Sequence, residues 1–248
     1  MKKLTLIIIV ILLSLVSCEN KSKKNIKYDK NGNIIAIEYT REGKLLDSIV
    51  FFKNDKISMK MFFKKNNQTE LYIKTYSKNG KLKSEGNTIL KEKIGKWKYY
   101  YDDGKRIVEY KIIKNKEYPN QIWTFNKDGK LNLNLSSFYS SKIEGEQLLN
   151  GTKVKILKVK YVPGLKNTIC TINLSQKINK DYSNIDSVEK FTLRSDNNYI
   201  FTIPLELDST GKKITVIGYI DEHFFDEKTK NLEHSTKRTY ISIPINKL

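Results

Sequence analysis

Two histidines are the side chains best suited to bind a metal ion in this chain of 248 residues. His223 lies in an acidic stretch, Asp221 to Glu227, and His234 follows Glu233. If the stretch forms a hairpin, two imidazoles and several carboxylates could meet, and such a set can hold Zn²⁺ or Ca²⁺. The spacing matches no known ligand motif, however. The sequence therefore favours a solvated acidic loop, with no metal ligand and no cofactor.

Cys170 is the second candidate for chemistry, as a nucleophile or a redox group. It lies in a strand-like run, Thr168 to Ile172, with no histidine nearby in the sequence. A cysteine in such a run is most often a small buried apolar side chain. The glycines are spread over turn positions and do not cluster before a helix, so there is no nucleotide-binding loop. The sequence thus predicts no catalytic residue.

Cys18 follows a segment with the layout of a bacterial signal peptide. Lys2 and Lys3 form the positive start, Leu4 to Val16 form an apolar run of about 13 residues, and Ser17 precedes the cysteine. The run is shorter than the roughly 20 residues of a membrane-spanning helix. The four residues that end at Cys18 resemble a lipobox. This resemblance implies lipidation of the thiol with a diacylglyceryl group, cleavage before Cys18, and acylation of the new N-terminus, as with palmitate.

We therefore expect residues 1–17 to be a signal peptide and residues 18–27 to be a short tether. The mature protein would be a lipoprotein of the cell envelope, anchored at the outer membrane through Cys18. An ordinary secretory signal, or a signal anchor with an incidental cysteine, is the alternative.

The chain is strongly basic, with a formal charge of +19, and the charge is uneven. Residues 19–141 hold 27 basic against 14 acidic residues, a net of +13, whereas residues 142–248 hold 17 against 13, a net of +4. A basic segment beside a membrane attracts anionic headgroups or acidic glycans, and the compartment argues against nucleic acid. The alternative is compositional, because Ala36 is the only alanine and Lys, Asn and Ile abound, as in AT-rich genomes.

A repeat of about 24 residues organises the first half of the chain. An aromatic residue is followed four positions later by glycine at five places, which are Tyr28, Tyr39, Tyr76, Tyr100 and Phe125. With a degenerate copy at Lys56, the turn positions 32, 56, 80, 104 and 129 are 24 or 25 residues apart. A second series of turns lies between them. Asn-Gly and Asp-Gly pairs supply the positive φ of tight hairpins, so residues 28–135 are predicted to form an antiparallel meander.

One copy of the repeat carries a more specific signature. Gly95 to Lys105 resembles the second, bacterial variant of the MORN repeat, with its Gly-x-Trp-x-x-Tyr-Tyr core and Asp-Gly turn. The resemblance covers roughly residues 28–135 and is weaker in the other copies, where Lys56 and Asn67 replace the glycine. Bacterial proteins with this repeat are often described as antitoxin or immunity proteins. The resemblance therefore implies a role in neutralising a toxin at the membrane.

Alternation within one strand of that copy places Trp97, Tyr99 and Tyr101 on one face and lysines on the other. Such a row of rings could stack on sugar rings or on a partner strand, while the lysines contact acidic groups. We predict Trp97, Tyr99 and Tyr101 as binding residues. The alternative is that these rings form the internal ladder of the repeat and pack against neighbouring hairpins.

The second half of the chain has a different pattern. Residues 136–151, rich in serine, are predicted to be a linker with one helical turn. Residues 152–248 contain six longer strand candidates separated by turn signals. We therefore expect a mainly β protein with an N-terminal antiparallel meander of MORN-like hairpin repeats and a C-terminal immunoglobulin-like β-sandwich.

The modular all-β layout favours a non-enzymatic binding or scaffold module on a lipid anchor. Its repeat sheet would offer an extended surface to a protein or an acidic glycan. An antitoxin or immunity protein at the membrane is the alternative, and a toxin-like neighbouring gene would distinguish it. A metal-dependent hydrolase built around His223 and His234 is the least favoured hypothesis.

Overall fold

The computed structural model describes residues 23–41, 45–65, 67–165, 168–206, 214–226 and 231–245. The protein is mainly β and divides into two compact units, Met1–Lys81 and Leu82–Leu248. Cys18, the predicted signal peptide and the start of the predicted tether lie outside the described residues. Within the described part of the chain, no helix is long and apolar enough to cross a membrane.

Nine strands follow one another along the first half of the chain. They are β1 Lys23–Tyr28, β2 Ile34–Arg41, β3 Leu45–Lys53, β4 Lys56–Lys64, β5 Asn67–Tyr76, β6 Leu82–Ile89, β7 Glu92–Tyr101, β8 Gly104–Ile113 and β9 Lys116–Asn126. Their order in the sheet is their order in the chain, and neighbouring strands run antiparallel. The predicted meander is therefore confirmed.

Three of the described strand connections of the meander are two-residue turns with left-handed backbone at both positions. Asn54 and Asp55 have φ angles of 52° and 57°. Two consecutive positive φ values define the hairpin turn whose twist matches that of the flanking strands. The degenerate copy of the repeat at Lys56 is thus an ordinary hairpin, and Lys56 is the first residue after its turn. The same geometry recurs at Leu90 and Lys91 and at Lys114 and Asn115.

The second half of the chain forms two further sheets. The strands are β10 Phe138–Leu149, β11 Thr152–Val162, β12 Thr168–Leu174, β13 Phe191–Arg194, β14 Ile200–Glu206, β15 Ile214–Asp226 and β16 Asn231–Ile245. One sheet has the order β10-β11-β14 and the other the order β13-β12-β15-β16. Apolar side chains from both sheets form one buried cluster, which includes Leu157, Phe201, Ile172 and Ile241. The two sheets therefore pack face to face as a sandwich.

The four-stranded sheet is covered on both of its faces. Along β16, Ile241 and Ile243 face the three-stranded sheet, whereas Tyr240 belongs to a second buried cluster. This second cluster joins Ile113 of β8 to the irregular segment 175–190, which contributes Tyr182. The end of the meander and the sandwich are therefore parts of one packed unit.

The structure differs from expectation at residues 136–151, where a linker was predicted. These residues instead contain the whole of β10, which pairs with β11 from Phe138 to Leu149. Ser136 and Ser137 are buried, and Ser137 forms a β-bridge with Ile122 of β9. Serine-rich composition suggested a loop, but serine is tolerated in a strand where its hydroxyl finds a hydrogen-bond partner.

Candidate binding surface

The sheet of the first unit is thin. Among its described residues only Ala36 is buried, and neither of the two buried clusters includes a residue from it. The cross-strand register places one set of side chains on a single face, because residues directly opposite each other share a face. That set is strongly apolar and half-buried, and it comprises Ile49, Phe51, Met59, Met61, Phe63, Leu71 and Ile73.

The opposite face of this sheet carries lysines and aromatic rings, and we name it the lysine–tyrosine face. Lys60 and Lys74 lie directly opposite each other on β4 and β5. The ammonium of Lys60 lies 5.8 Å from the ring centre of Tyr76, and that of Lys74 lies 5.8 Å from the ring centre of Tyr72. Phe62 lies on the same face, with its ring 6.3 Å from that of Tyr72. Cations held over rings in this way are stabilised by the electrons of the ring face.

The second unit contains the row of rings predicted as a binding site. Trp97 is only 4% exposed, and its indole Nε1 donates a hydrogen bond to the carbonyl of Asn87 at 2.7 Å. The ring occupies the space beside Gly86, where a Cβ atom would lie 2.4 Å from ring carbons. Trp97 is therefore a packing residue of the repeat, in line with the internal-ladder alternative. A glycine in the interior of β6 was the sequence signal for this close approach.

The other two predicted residues differ in exposure. Tyr99 stacks on Trp97, and its hydroxyl is 2.8 Å from the hydroxyl of Tyr110. Burial, followed by this hydrogen bond, raises the pKa of Tyr99. Tyr101 is 53% exposed, with the guanidinium of Arg106 6.0 Å from its ring centre. Of the three residues, only Tyr101 presents its ring to solvent.

The opposite face of β7 to β9 repeats the pattern of lysines over rings. Lys96 lies over the ring of Trp123 and Lys105 over that of Phe125, each 5.0 Å from the ring centre. Next to them, the hydroxyl of Tyr100 donates a hydrogen bond to a carboxylate oxygen of Glu85 at 2.8 Å. Burial and this hydrogen bond raise the pKa of Tyr100 to about 12. The lysines predicted for this face thus lie beside rings that sequence reasoning did not assign to it.

Buried polar groups fix the end of the meander to the sandwich. The side chain of Asn120 is fully buried and makes two hydrogen bonds with the backbone of Tyr240, one to its carbonyl at 2.9 Å and one from its amide at 2.7 Å. Asn120 also donates to Glu109 at 2.9 Å. The hydroxyl of Tyr118 donates to the carbonyl of Arg238 at 2.5 Å. These contacts give the sheet of the second unit a fixed support.

Glu222 is the most completely buried carboxylate described. It accepts hydrogen bonds from the hydroxyl of Tyr161 at 2.5 Å and from the backbone amides of Gly164 and Leu165 at 3.1 and 3.2 Å. Burial lowers the pKa of nearby Lys237, while the charge of Glu222 opposes this shift. Burial of a carboxylate is unfavourable unless hydrogen-bond donors replace the lost water, and these donors do so for Glu222.

Cys170 lies in the sandwich core and is fully buried, as predicted. Burial, followed by the charge of Glu222, raises the pKa of its thiol to about 12. His223 contacts the hydroxyl of Thr171 at 3.1 Å through Nε2, and the side chain of His234 lies outside the described residues. Within the described residues, no group of three or more His, Cys, Asp or Glu side chains is arranged to hold a metal ion.

No protein-family model fits the chain, and no curated protein is similar to it at a significant level.

Proposed function

We propose that this protein is a lipoprotein of the cell envelope that binds an acidic partner, a protein or a glycan, through the open faces of its repeat sheet. The observation that carries the proposal is a recurring arrangement of lysine ammonium groups over aromatic rings. It occurs at Lys60 with Tyr76, Lys74 with Tyr72, Lys96 with Trp123 and Lys105 with Phe125.

Each of these pairs offers two kinds of contact at one place. The ammonium group attracts a carboxylate, phosphate or sulfate, and the ring beside it offers a flat apolar surface. An acidic group attached to a sugar ring or to an apolar side chain would use both contacts. The proposed role is one of binding and scaffolding. Within the second unit, the sandwich supports the part of the sheet that belongs to that unit.

The proposed anchor would keep this surface near a bilayer. Cys18 lies five residues before Lys23, where β1 begins. Five extended residues span at most about 18 Å. Acylation at Cys18 would therefore hold β1 within that distance of the headgroups, where the net positive charge of the repeat region favours acidic partners.

Photo-cross-linking in intact cells tests the proposal. Phe62 on the lysine–tyrosine face is 40% exposed, and Leu148 on β10 is 73% exposed. Each is replaced in turn by p-benzoylphenylalanine, with Leu148 as the matched control. We expect a cross-linked species from position 62 that is absent from position 148. Mass spectrometry of the detergent-extracted protein should show acyl groups on Cys18, and they should be lost in Cys18→Ala.

Equal cross-linking from the two positions would refute a specific surface on the repeat sheet. Absence of acyl groups on Cys18 in the detergent-extracted protein would refute the anchor independently of the surface.

A further inference from the structure

A groove of about 310 Å³ lies on the first unit between two hairpin turns. One wall is the turn between β3 and β4, with Lys53 and Lys56, and the other is the turn after β5, with Lys78. Its volume is at the lower end of the range for small-molecule sites in proteins and is sufficient for a monosaccharide. The groove is open to solvent at a place where three lysines converge.

The ammonium groups of the lysines in this groove repel one another. Lys53 and Lys56 lie directly opposite each other in the hairpin, and like charges in opposed positions destabilise a strand pair. Lys60, two positions beyond Ser58 of the groove, adds a further positive charge over the ring of Tyr76. Among the described residues, no ion pair links Lys53, Lys56 or Lys78 to a carboxylate. An anion bound in the groove would offset this repulsion.

The remaining lining fits a sugar ring. Tyr76 and Ile57 supply apolar surface, and Asn54 and Asn79 supply amides that can both donate and accept hydrogen bonds. The hydroxyl oxygen of Ser77 is buried and has no hydrogen-bond partner in the protein. Apolar and aromatic surface with a few convergent polar groups is the usual lining of a small-molecule site.

A second groove of about 470 Å³ lies on the same unit and provides a comparison. It shares Lys53 and Asn54 with the first groove but is also lined by Asp29, Asp55 and Ile35. Hydrogen bonds from Asn33 lower the pKa of Asp29, which is therefore ionised at neutral pH. Two carboxylates would repel an acidic ligand, so the positive charge is specific to the groove beside Tyr76.

We propose that the groove formed by Lys53, Lys56, Lys78, Tyr76 and Ser77 binds the acidic sugar unit of a glycan. The lysines bind the carboxylate, phosphate or sulfate, and the ring of Tyr76 packs on the sugar. This inference rests on the proposed function, because it identifies the acidic partner as a glycan and assigns its contact site.

Isothermal titration of the purified full chain tests the site with two acidic oligosaccharides, hexagalacturonate and a heparin hexasaccharide. A glycerol-phosphate oligomer serves as an acidic polymer without a sugar ring. Fully methyl-esterified hexagalacturonate is the neutral probe, inorganic phosphate and sulfate test the anion alone, and vesicles of anionic phospholipid test a membrane surface. We expect at least one acidic oligosaccharide to bind at least about tenfold more tightly than the neutral probe and the free anions.

The variant Lys56→Ser/Lys78→Ser removes two charges from the groove, and Lys23→Ser/Lys65→Ser removes two exposed charges elsewhere on the same unit. We expect the first to weaken binding about tenfold and the second less than about twofold. Tyr76→Leu should also weaken binding, with its circular dichroism spectrum unchanged.

Three results would overturn the inference: equal losses in the two double variants, binding only to vesicles, or no binding to any acidic oligosaccharide. The cross-linking at position 62 distinguishes the two proposals. Cross-linking that persists in Lys56→Ser/Lys78→Ser, combined with no oligosaccharide binding, would reject this groove while leaving the proposed function in place.

Discussion

The absence of a side chain at Gly86 leaves the space that the indole of Trp97 occupies. A Cβ atom at position 86 would lie 2.4 Å from ring carbons, which no real contact permits. Gly86→Ala should therefore displace the ring, break its hydrogen bond to Asn87 and lower the free energy of unfolding by about 1–3 kcal/mol. Urea unfolding followed by tryptophan fluorescence measures this loss.

Gly145→Ala is the matched control for that substitution. A Cβ atom at Gly145 meets no atom within 4 Å, so its unfolding free energy should change by less than about 0.5 kcal/mol. Similar unfolding curves for the two variants would show that the contact between Gly86 and Trp97 is easily relaxed.

The candidate site was only partly predictable at the level of single residues. The strand around Trp97 was predicted from its alternation, but alternation cannot distinguish a ring in solvent from a ring covered by its neighbour. Lys60 and Tyr76 meet because β4 and β5 pair in one register, which the repeat fixes only approximately. The role of Asn120 was beyond prediction, because its partner Tyr240 is 120 positions away in the sequence.

The turn between β6 and β7 is the clearest strained element of the repeat. Leu90 and Lys91 have φ angles of 49° and 77°, and Leu90 is 71% exposed, so no packing compensates for the strain. Asn-Gly is the preferred pair for two consecutive positive φ values. Replacing Leu90 and Lys91 by Asn and Gly should raise the free energy of unfolding by about 1 kcal/mol, as measured by urea titration.

Asp103→Gly in the turn between β7 and β8 serves as the control. Asp103 has a negative φ, so glycine relieves no strain there and adds only flexibility to the unfolded chain. If Asp103→Gly raised the free energy of unfolding, or if the substitutions at positions 90 and 91 did not raise it, the explanation from backbone strain would be contradicted.

Spacing predicted the elements of the first half better than those of the second. The 24-residue period marks turns whose backbone conformation depends on a few local residues, so the period was visible without any tertiary information. In the second half, β10 was mistaken for a linker because its serines are polar, while its partner β11 supplies the pairing. Tyr182 anchors the segment 175–190 in a buried cluster whose other members include residues far away in the sequence. No local sequence pattern predicts that contact.

The two units differ in how much of each is buried. Ala36 is the only buried residue described in the first unit, whereas the second unit contains both apolar clusters. Local opening is easiest where few apolar contacts must be broken. We therefore expect amides of residues 45–64 to exchange with deuterium at least about tenfold faster than amides of residues 154–161, as measured by mass spectrometry of peptic fragments.

The amides of β8 and β9 provide an internal control for this comparison. They belong to the meander, but Ile113 and Asn120 tie them to the sandwich. They should exchange at rates close to those of residues 154–161. Equal rates throughout the meander would instead show that strand pairing, and not burial, sets the protection.

The meander of the first unit also sets a length. Paired strands lie about 4.8 Å apart, so the four steps from β1 to β5 span about 19 Å. Each 24-residue repeat contributes two strands and therefore about 10 Å. Because each strand contacts only its neighbours, gain or loss of one repeat would leave the register of the others unchanged. Repeat number would then set, in steps of about 10 Å, how far β5 and its groove stand from β1, the end of the sheet nearest the proposed anchor.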